Sequence, residues 1–379
     1  PYSYYRQLGP IYGQRSAPIR WENTFAKEIT TQFGFVRGEN EPCVYHNTAS
    51  QITMCLYVDD ILAIGTHKSL TNFFTKLNKR FPLREIQWLT ENSCIDYVGM
   101  IISRRREEVS LSMEPYCSTY ITMMEKRVGQ LKPTSVPINS AITNFDPVDE
   151  KDAKFFRTMI GSMGWLANTA RPDLSYAHSR ISQYLAAPCQ GAYDAAIYAT
   201  RDSKGTPALG LCPKSPSDGK NYFEFYTDAD HAGNWEPNNH CRSQLGVLCT
   251  LNGAPILWKS TVTSSVSVSP LFSETLPALS VGEGETIAIA NGILEFLRIH
   301  HIADESHISD FPLPMIINTD STVAEAFMAN TCLKTRMKHI DVRQNWVKLI
   351  RNANVAIPHH CPSQDNYADW FTKILARAP

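Results

Sequence analysis

The stretch YFEFYTD at residues 222–228 determines how the second half of the chain is interpreted, because it is rich in aromatic residues and ends in Asp228. Such a run is typical of a β-strand. In RSQLGVLCTLNGAPILWKS at 242–260, two apolar runs flank Asn252 and Gly253, the turn pair best suited to a tight hairpin. The run TVTSSVSVS at 261–269 alternates Val with Ser. We expect it to complete a three-stranded antiparallel meander.

A mixed helix and strand pattern follows the meander. The segment ETIAIANGILEFLRIH at 285–300 places its apolar residues on one stripe and predicts a helix. MIINTD at 315–320 predicts a buried strand, VAIPHH at 355–360 predicts the last strand, and helices are predicted for STVAEAFMAN, KHIDVRQNWVKLIRNA and DNYADWFTKIL. The predicted element order is therefore βββαβααβα around a mixed sheet.

Four acids occupy prominent positions in this pattern. Asp228 and Asp320 each end a strand, Glu285 opens the first helix, and Asp369 lies on the last helix. If the two strands are neighbours, their carboxylates project from one edge of the sheet and the helices can bring the other two acids there. Like charges this close require a cation, and Mg²⁺ (or Mn²⁺) suits oxygen ligands. Two ions about 4 Å apart would support phosphodiester hydrolysis. The alternative for each Asp alone is a turn former.

A second pair of acids lies in QITMCLYVDDILAIGT at 51–66, where two β-rich runs flank Asp59 and Asp60. This pattern predicts a hairpin with both acids exposed at its tip. Adjacent acids at such a tip can hold metal, and the alternative is a solvated turn.

Breaker-rich segments predict the domain limits. Pro133, Pro137 and Pro147 interrupt residues 132–150, and KSPSDGK occupies 214–220. An apolar helical pair, broken at Pro172, is predicted between them over 155–187. The predicted domains are therefore 1–131, 132–220 and 221–379.

Composition excludes several classes of protein. The 379 residues carry 36 Lys and Arg against 37 Asp and Glu, which excludes a strongly charged coat protein. No run of about 18 apolar residues and no apolar signal core is present, so we expect an intracellular, cytoplasmic protein without a membrane partner. The ten cysteines form no CxxC pair, so no zinc or disulfide framework is predicted.

Several motifs, in order, resemble the C-terminal part of the Pol polyprotein of copia-type LTR retrotransposons. They are IYGQRSAP with Trp21, YVDD, GSMGWLANTARPDLSYAHSRIS, KGTPALGL, YTDADHAG, GAPILWKS, TDSTVA, KHIDVR and ADWFTK. The resemblance covers nearly the whole chain. It implies a fold of classes α/β and α+β, in which a partial reverse-transcriptase palm and thumb and a connection-like helical region are followed by a ribonuclease H-like domain.

For the polymerase, the resemblance implies that Asp59 and Asp60 bind metal in the YxDD motif. It also implies that nucleic acid contacts Tyr12, Gly13, Trp21 and Tyr57. The family's polymerase has one more catalytic Asp, which comes first along the chain, on a strand before this motif. The present sequence begins after that strand. We therefore expect a truncated RNA-directed DNA polymerase that lacks its first catalytic Asp.

For ribonuclease H, the resemblance implies that Asp228, Asp320 and Asp369 are three of the four catalytic, metal-binding acids. The family's short segment before the helix is replaced here by the longer SPLFSETLPALSVGEGETIAI at 269–289. We assign Glu285 as the second acid, with Glu283 and Glu274 as alternatives. His359 or His360 matches a mobile His of related enzymes. Further contacts to a hybrid are implied for Arg242, Lys338, His339 and Arg343.

The resulting hypothesis is a retrotransposon Pol fragment that hydrolyses the RNA strand of RNA/DNA hybrids with Mg²⁺ or Mn²⁺. Its expected partners are the hybrid, a template-primer and the rest of the polyprotein, within a virus-like particle if the element is active. The alternative is a catalytically decayed remnant that at most binds nucleic acid. An integrase of the same element is disfavoured by the YVDD and KHIDVR motifs.

Overall fold

The computed structural model describes residues 13–106, 108–214, 221–230, 243–263, 267–268, 275–276, 281–306, 313–322 and 338–374. For 267–268, 275–276, 281–283 and 338–344 it describes only the backbone. The chain divides into two compact units, Pro1–Trp88 with Arg298–Ser309 and Leu89–Leu297 with Asp310–Pro379. Within the described residues, no helix combines the length and apolar character that crossing a membrane requires.

The first unit is built on a four-stranded antiparallel sheet. Its strands are β1 (Val36–Arg37), β2 (Val44–Asn47), β3 (Ile52–Tyr57) and β4 (Asp60–Ile64), and its helices are α1 (Ala17–Phe33) and α2 (His67–Arg80). Pro18 lies in the first turn of α1, where its missing N–H costs nothing, and Gly34 ends the helix in the left-handed region with φ 70°. Phe25 and Ile29 of α1 pack against Tyr45 and Phe73 in one apolar core.

The second unit begins with a hairpin sheet and a helical layer. The sheet contains β5 (Ser93–Tyr97), β6 (Met100–Arg105), β7 (Glu108–Ser112) and β8 (Gly210–Leu211). The helices are α3 (Glu114–Val128), α4 (Glu150–Thr169), α5 (Ser175–Ser182) and α6 (Gln190–Gly205). Asp149 caps α4 by accepting the Asp152 N–H at 2.7 Å, and a 3₁₀ turn, Pro172–Leu174, separates α4 from α5. The predicted break at Pro172 is therefore present.

A five-stranded mixed sheet forms the rest of the second unit. Its strands are β9 (Phe223–Asp230), β10 (Gln244–Leu251), β11 (Ala254–Val262), β14 (Met315–Thr319) and β15 (Ala356–His360), in the order β11-β10-β9-β14-β15. Strands β9, β10 and β11 are antiparallel neighbours, whereas β14 pairs in parallel with both β9 and β15. Asn252 and Gly253 form the tight turn between β10 and β11, both with positive φ. This mixed sheet confirms the predicted fold class.

Helix α7 (Val281–Glu305) packs on this sheet through small residues, and α8 (Lys338–Asn352) precedes β15. A Cβ on Gly292 would lie 2.8 Å from the Thr227 side chain, and one on Gly284 would lie 3.4 Å from Ala229. Ala288, between the two glycines, is fully buried. The spacing of four residues puts all three on one face of α7, so the helix lies close to β9.

Two predicted elements were wrong. The run at 261–269 is not the third strand of the meander: Thr261 and Val262 end β11, while β12 (Ser267–Val268) pairs with β13 (Thr275–Leu276) in a separate sheet. The stretch at 365–375 is not an α-helix but the 3₁₀ segment Tyr367–Phe371, after a 3₁₀ turn at Ser363–Asp365. Asn366 starts this segment by accepting the Ala368 N–H. The helix predicted at 321–330 lies largely outside the described residues.

Candidate active site

The acids Asp228 and Asp320 lie side by side because of the parallel pairing of β9 and β14. The sequence predicted that Asp228 ends its strand, but β9 continues to Asp230 because it stays paired with β10 up to Gln244, whereas Asp320 directly follows β14. The register aligns Ile317 with Phe225 and Asn318 with Tyr226. Two residues further on, Asp320 is level with Asp228 at the same edge of the sheet. Side chains two residues apart on a strand point to the same side, so both carboxylates emerge together.

Glu285 completes a compact group of three carboxylates. It lies in the second turn of α7, directly after Gly284, whose backbone approaches Ala229 of β9. One ligand oxygen from each of Asp228, Glu285 and Asp320 lies within 4.8 Å of the others. The close approach of α7 to β9 therefore brings the acid of the helix to the acids of the sheet.

Two of these three acids are buried. Asp228 is 1% exposed and Glu285 is 3% exposed. Burial, with the charge of the neighbouring acids, raises the pKa of Asp228 to about 6 and the pKa of Glu285 to about 9. Without a cation, the group of three carboxyls therefore retains protons near neutral pH. A bound cation would offset the charge of the ionised carboxylates.

Neighbouring hydroxyl groups hold the acids in place. The Thr372 hydroxyl donates to Oδ2 of Asp228, and the Ser363 hydroxyl donates to Oδ2 of Asp320 at 2.7 Å. Asn366 donates through Nδ2 to the Thr227 carbonyl oxygen at 3.1 Å, which ties the 3₁₀ segment to β9. These bonds fix the orientation of two carboxylates before any ligand arrives.

Asp369 lies beside the group but is engaged by a lysine. Its Oδ1 accepts from Nζ of Lys373 at 2.8 Å, and the same Nζ lies 3.4 Å from Oδ2 of Asp228. Partial burial lowers the pKa of Lys373, but the hydrogen bond to Asp369 and the charges of Asp369 and Asp228 outweigh it, so this pKa lies above its ordinary value. The structure thus brings together three of the four predicted acids and joins the fourth through Lys373.

The group of three carboxylates fits a hard divalent cation. Its donors are all oxygen, as Mg²⁺ and Mn²⁺ prefer. Oε2 of Glu285 is buried and has no hydrogen-bond partner among the described residues. A buried carboxylate oxygen without a partner is costly unless a cation or water satisfies it. A cation held by the three carboxylates would satisfy this oxygen.

The YVDD segment forms the predicted hairpin in the first unit. Tyr57 pairs with Asp60, so Val58 and Asp59 form the two-residue turn, with Val58 at φ 55°. Asp59 and Asp60 are both exposed. The Trp21 indole N–H donates to the Val58 carbonyl oxygen at 2.7 Å. Helix α1 therefore contacts the tip of the hairpin through Trp21. The resemblance implied a nucleic-acid contact for this residue.

The other predicted site residues are exposed, or the structure does not describe their side chains. Gly13 is exposed with φ 92°, and Tyr57 is 52% exposed. Nδ1 of His359 lies 3.1 Å from Oδ1 of Asn318, and His360 is exposed at the end of β15. The following lie outside the described residues or have undescribed side chains: Tyr12, Arg242, Glu274, Glu283, Lys338, His339 and Arg343.

Sequence reasoning missed the residues that contact the acids. Thr372 and Lys373 lie three and four residues after Asp369 in ADWFTK, the spacing at which side chains meet on one turn. Ser363 has no comparable signal, because its position beside Asp320 depends on the pairing of β14 with β15. The spacing in ADWFTK could have identified Lys373.

The chain is similar in sequence to polyproteins of transposable elements. It is 27% identical over 381 residues to the Retrovirus-related Pol polyprotein from transposon TNT 1-94 of Nicotiana tabacum, covering 97% of this chain and 27% of that protein. It is 28% identical over 372 residues to the corresponding polyprotein from transposon RE2 of Arabidopsis thaliana, covering 97% and 24%. The chain thus spans about a quarter of these relatives' length.

Comparison with solved structures gives lower similarity. The LC11-RNase H1 complex with RNA/DNA hybrid has a TM-score of 0.28 and 15% identity, covering 40% of this chain and 94% of that one. The foamy viral protease-reverse transcriptase in complex with RNA/DNA hybrid has a TM-score of 0.48 and 10% identity, covering 97% and 41%. No family model matches the chain. Over 97% of its length, the chain is thus similar in sequence to Pol polyproteins of copia-type LTR retrotransposons.

Proposed function

We propose that the chain hydrolyses the RNA strand of RNA/DNA hybrids at Asp228, Glu285 and Asp320, with Mg²⁺ or Mn²⁺ as cofactor. The observation that carries this proposal is the convergence of three carboxylate oxygens within 4.8 Å, one of them from a nearly fully buried glutamate. Placing three acids together, two of them buried, is unfavourable for folding unless a cation offsets their repulsion. Cation binding is therefore the best explanation for this cluster of acids.

The residues of the chain have distinct tasks in this proposal. Asp228 and Asp320 would hold the cation from adjacent strands, and Glu285 would hold it from α7. A bound divalent cation supplies Lewis acidity toward a phosphodiester and lowers the pKa of an attacking water. Thr372 and Ser363 keep Asp228 and Asp320 oriented, so the ligand oxygens need little rearrangement. His359 or His360, both at the exposed end of β15, is our candidate for contact with a departing product.

The similarity to Pol polyproteins supports the proposed substrate class. Pol polyproteins that contain a reverse transcriptase generate hybrids, and removal of the RNA strand needs an endonuclease without sequence preference. Recognition of such a hybrid relies on backbone shape, phosphates and 2′-hydroxyl groups rather than base edges. Because the net charge is -1, binding depends on local positive charge and weakens as salt rises.

We place the proposed reaction at this group and not at the YVDD hairpin. Among the residues that the structure describes, a set of three potential ligands within reach of one ion occurs at Asp228, Glu285 and Asp320 alone. Asp59 and Asp60 match the polymerase motif, and their proposed role is metal binding beside a template-primer. In that role the chain acts together with the rest of a Pol polyprotein in the cytoplasm.

The proposal is tested with the same labelled RNA in three forms: an RNA/DNA hybrid, an RNA/RNA duplex and a single strand. We expect Mg²⁺-dependent cleavage of the RNA in the hybrid alone, and loss of cleavage with a chelator. Cleavage of every RNA substrate would indicate a different nuclease. Binding of the hybrid without cleavage would support the decayed remnant instead, and would contradict the proposed hydrolysis.

A further inference from the structure

Two faces of the short 3₁₀ segment that carries Asp369 are already engaged. Side chains three residues apart lie on the same face of a 3₁₀-helix. Ala368 and Phe371 are buried and form the face toward the core. Asp369 and Thr372 lie beside the acids, where the Thr372 hydroxyl donates to Oδ2 of Asp228. The segment has one more face, which neither the core nor the acids cover.

This third face carries two exposed aromatic rings. Tyr367 and Trp370 are three residues apart on the segment and are 48% and 57% exposed. Their ring centroids lie 6.5 Å apart, with the ring planes at 70°. Aromatic rings bury a large apolar area when a partner covers them, so leaving two neighbouring rings in water favours a ligand with an aromatic face of its own.

The sheet holds the first of these rings in position. Tyr226 lies on β9 two residues before Asp228, so both side chains project from the same side of the strand. The ring of Tyr226 packs edge-on against Tyr367, with centroids 5.1 Å apart. The buried Tyr226 also donates its hydroxyl group to Oε1 of Glu224 at 3.2 Å. One strand therefore positions both an acid of the site and the exposed aromatic face beside it.

A positive charge lies next to the aromatic face. Nζ of Lys373 is 2.8 Å from Oδ1 of Asp369 and 3.4 Å from Oδ2 of Asp228. The Lys373 side chain is 39% exposed, so a phosphate can reach its ammonium. Surfaces that bind single-stranded nucleic acid combine positive charge along the backbone with aromatic side chains on which bases stack. The 3₁₀ segment and the residue two positions after it offer both.

We propose that Tyr367 and Trp370 form a stacking surface for unpaired nucleobases, which holds a strand where it continues beyond the hybrid. Within a hybrid, neighbouring base pairs cover the face of each base, so a base face is free only at an end or in a single strand. Every base has an aromatic face, so stacking brings no sequence preference. The inference rests on the proposed function for the hybrid, but stacking is measurable without cleavage.

The test compares two labelled RNA/DNA hybrids by fluorescence anisotropy, in a chelator that keeps the RNA intact. In one hybrid the DNA strand extends by about six unpaired nucleotides, and in the other these nucleotides are abasic, so the number of phosphates is equal. The extension is placed at each end in turn. We expect the wild type to bind the extension with bases about 5–100-fold more tightly at one of the ends, as stacking of one or two bases provides.

Three variants locate the effect. Trp370→Ala should bring the ratio of the two affinities close to one, whereas Trp370→Phe, which keeps an aromatic ring, should retain most of it. Trp165→Ala is the matched control, because it removes another exposed tryptophan, on α4, and should leave the ratio unchanged. Circular dichroism checks that each variant is folded. Tyr367→Ala replaces Trp370→Ala if the latter does not fold, and the same ratio decides.

A wild-type ratio of one at both ends, or an unchanged ratio in Trp370→Ala, would overturn the inference while the proposed hydrolysis stands. A ratio lost in Trp370→Ala, together with a wild type that cleaves no hybrid in Mg²⁺, would support the stacking surface and contradict the hydrolysis. If neither hybrid binds in chelator, single-stranded DNA and its abasic form in Mg²⁺ decide by the same ratio. Self-association that Trp370→Ala abolishes, with the ratio unchanged, would show an interface between copies instead.

Discussion

The backbone of Gly246 lies directly against the carbonyl oxygen of Ala368. A Cβ placed on Gly246 would stand 2.6 Å from that oxygen and 2.9 Å from Cγ2 of Thr372. Gly246 is also the partner of Asp228 in the antiparallel register of β9 and β10. Only a glycine on β10 therefore lets the 3₁₀ segment with Asp369 and the following Thr372 approach Asp228.

We predict that Gly246→Ala displaces this segment and lowers the free energy of unfolding by about 1–3 kcal/mol, the usual cost of overpacking. Hybrid cleavage should fall because Thr372 and Lys373 move away from Asp228. Urea unfolding and the cleavage assay measure the two effects. Gly161→Ala in α4 is the control, because no atom lies within 4 Å of its added Cβ. It should leave cleavage unchanged, and equal effects of both variants would contradict the account.

Removing the Thr372 hydroxyl tests the orientation of Asp228. Thr372→Val keeps the shape of this buried side chain but deletes the hydrogen bond to Oδ2 of Asp228. We predict a 10–100-fold weaker affinity for Mn²⁺, which is the usual effect of losing a partner of a ligand. Thr372→Ser should restore the affinity. Wild-type affinity in the Val variant would show that the hydroxyl does not orient the ligand.

The raised pKa values predict how stability without metal depends on pH. The folded chain holds protons on Asp228 and Glu285 with pKa values of about 6 and about 9. In the unfolded chain these groups release their protons near pH 4. The folded state therefore binds more protons, and the free energy of unfolding should fall as pH rises from about 4 to about 9.

Unfolding in a chelator at several pH values measures this slope. Glu285→Gln, which cannot ionise, should flatten the slope above pH 6. Mg²⁺ needs ionised carboxylates, so its affinity should rise with pH and its binding should release protons. Calorimetry in buffers of different ionisation enthalpy detects that release. A metal affinity that falls with rising pH would contradict the assignment.

A buried ion network in the helical layer gives a prediction about stability. Arg171 is 1% exposed and binds Asp173 through Nε at 2.9 Å and Nη2 at 2.8 Å. Its Nη2 also lies 3.4 Å from the buried Asp202, and Nη1 donates to the Thr206 carbonyl oxygen. Removing the arginine would leave Asp202 without its partner cation.

We predict that Arg171→Met lowers the free energy of unfolding by about 3–5 kcal/mol, as expected for a broken buried ion pair. Arg157→Met should change it by less than about 0.5 kcal/mol, because Arg157 is exposed and bonds to a single carbonyl oxygen. Thermal and urea unfolding compare the two variants. Equal stability of Arg171→Met and wild type would show that the network is not structural.

The sequence predicts the mixed sheet well because its signals are local. The Asn252–Gly253 turn, the apolar runs that flank it and the strand that precedes Asp320 each depend on adjacent residues. The end of the chain is different. At 365–375 the apolar spacing resembles a helix, but the Asn366 side chain caps a tighter 3₁₀ segment and Thr372 bonds back to Asp369. Such competing side-chain bonds are not visible in an apolar pattern.

Prediction of the site succeeds where strand ends determine it. Asp228 lies near the end of β9 and Asp320 directly follows β14, so their proximity follows from topology once the strands are paired. Glu285 depends on how closely α7 approaches β9, which the spacing of Gly284, Ala288 and Gly292 determines. The engagement of Asp369 by Lys373 depends on side-chain geometry after the 3₁₀ segment, and the apolar pattern of the sequence does not report it.

The proposed nuclease site is tested by cleavage of a 5′-labelled RNA annealed to DNA, in Mg²⁺, by the wild type and by Asp228→Asn. We expect cleavage by the wild type and a loss of about 100-fold or more in the variant, because even indirect changes around a metal ligand cost 10–100-fold. Asp194→Asn, an exposed residue of α6, is the control and should cleave normally. Equal cleavage by Asp228→Asn and wild type would contradict the assignment of the site.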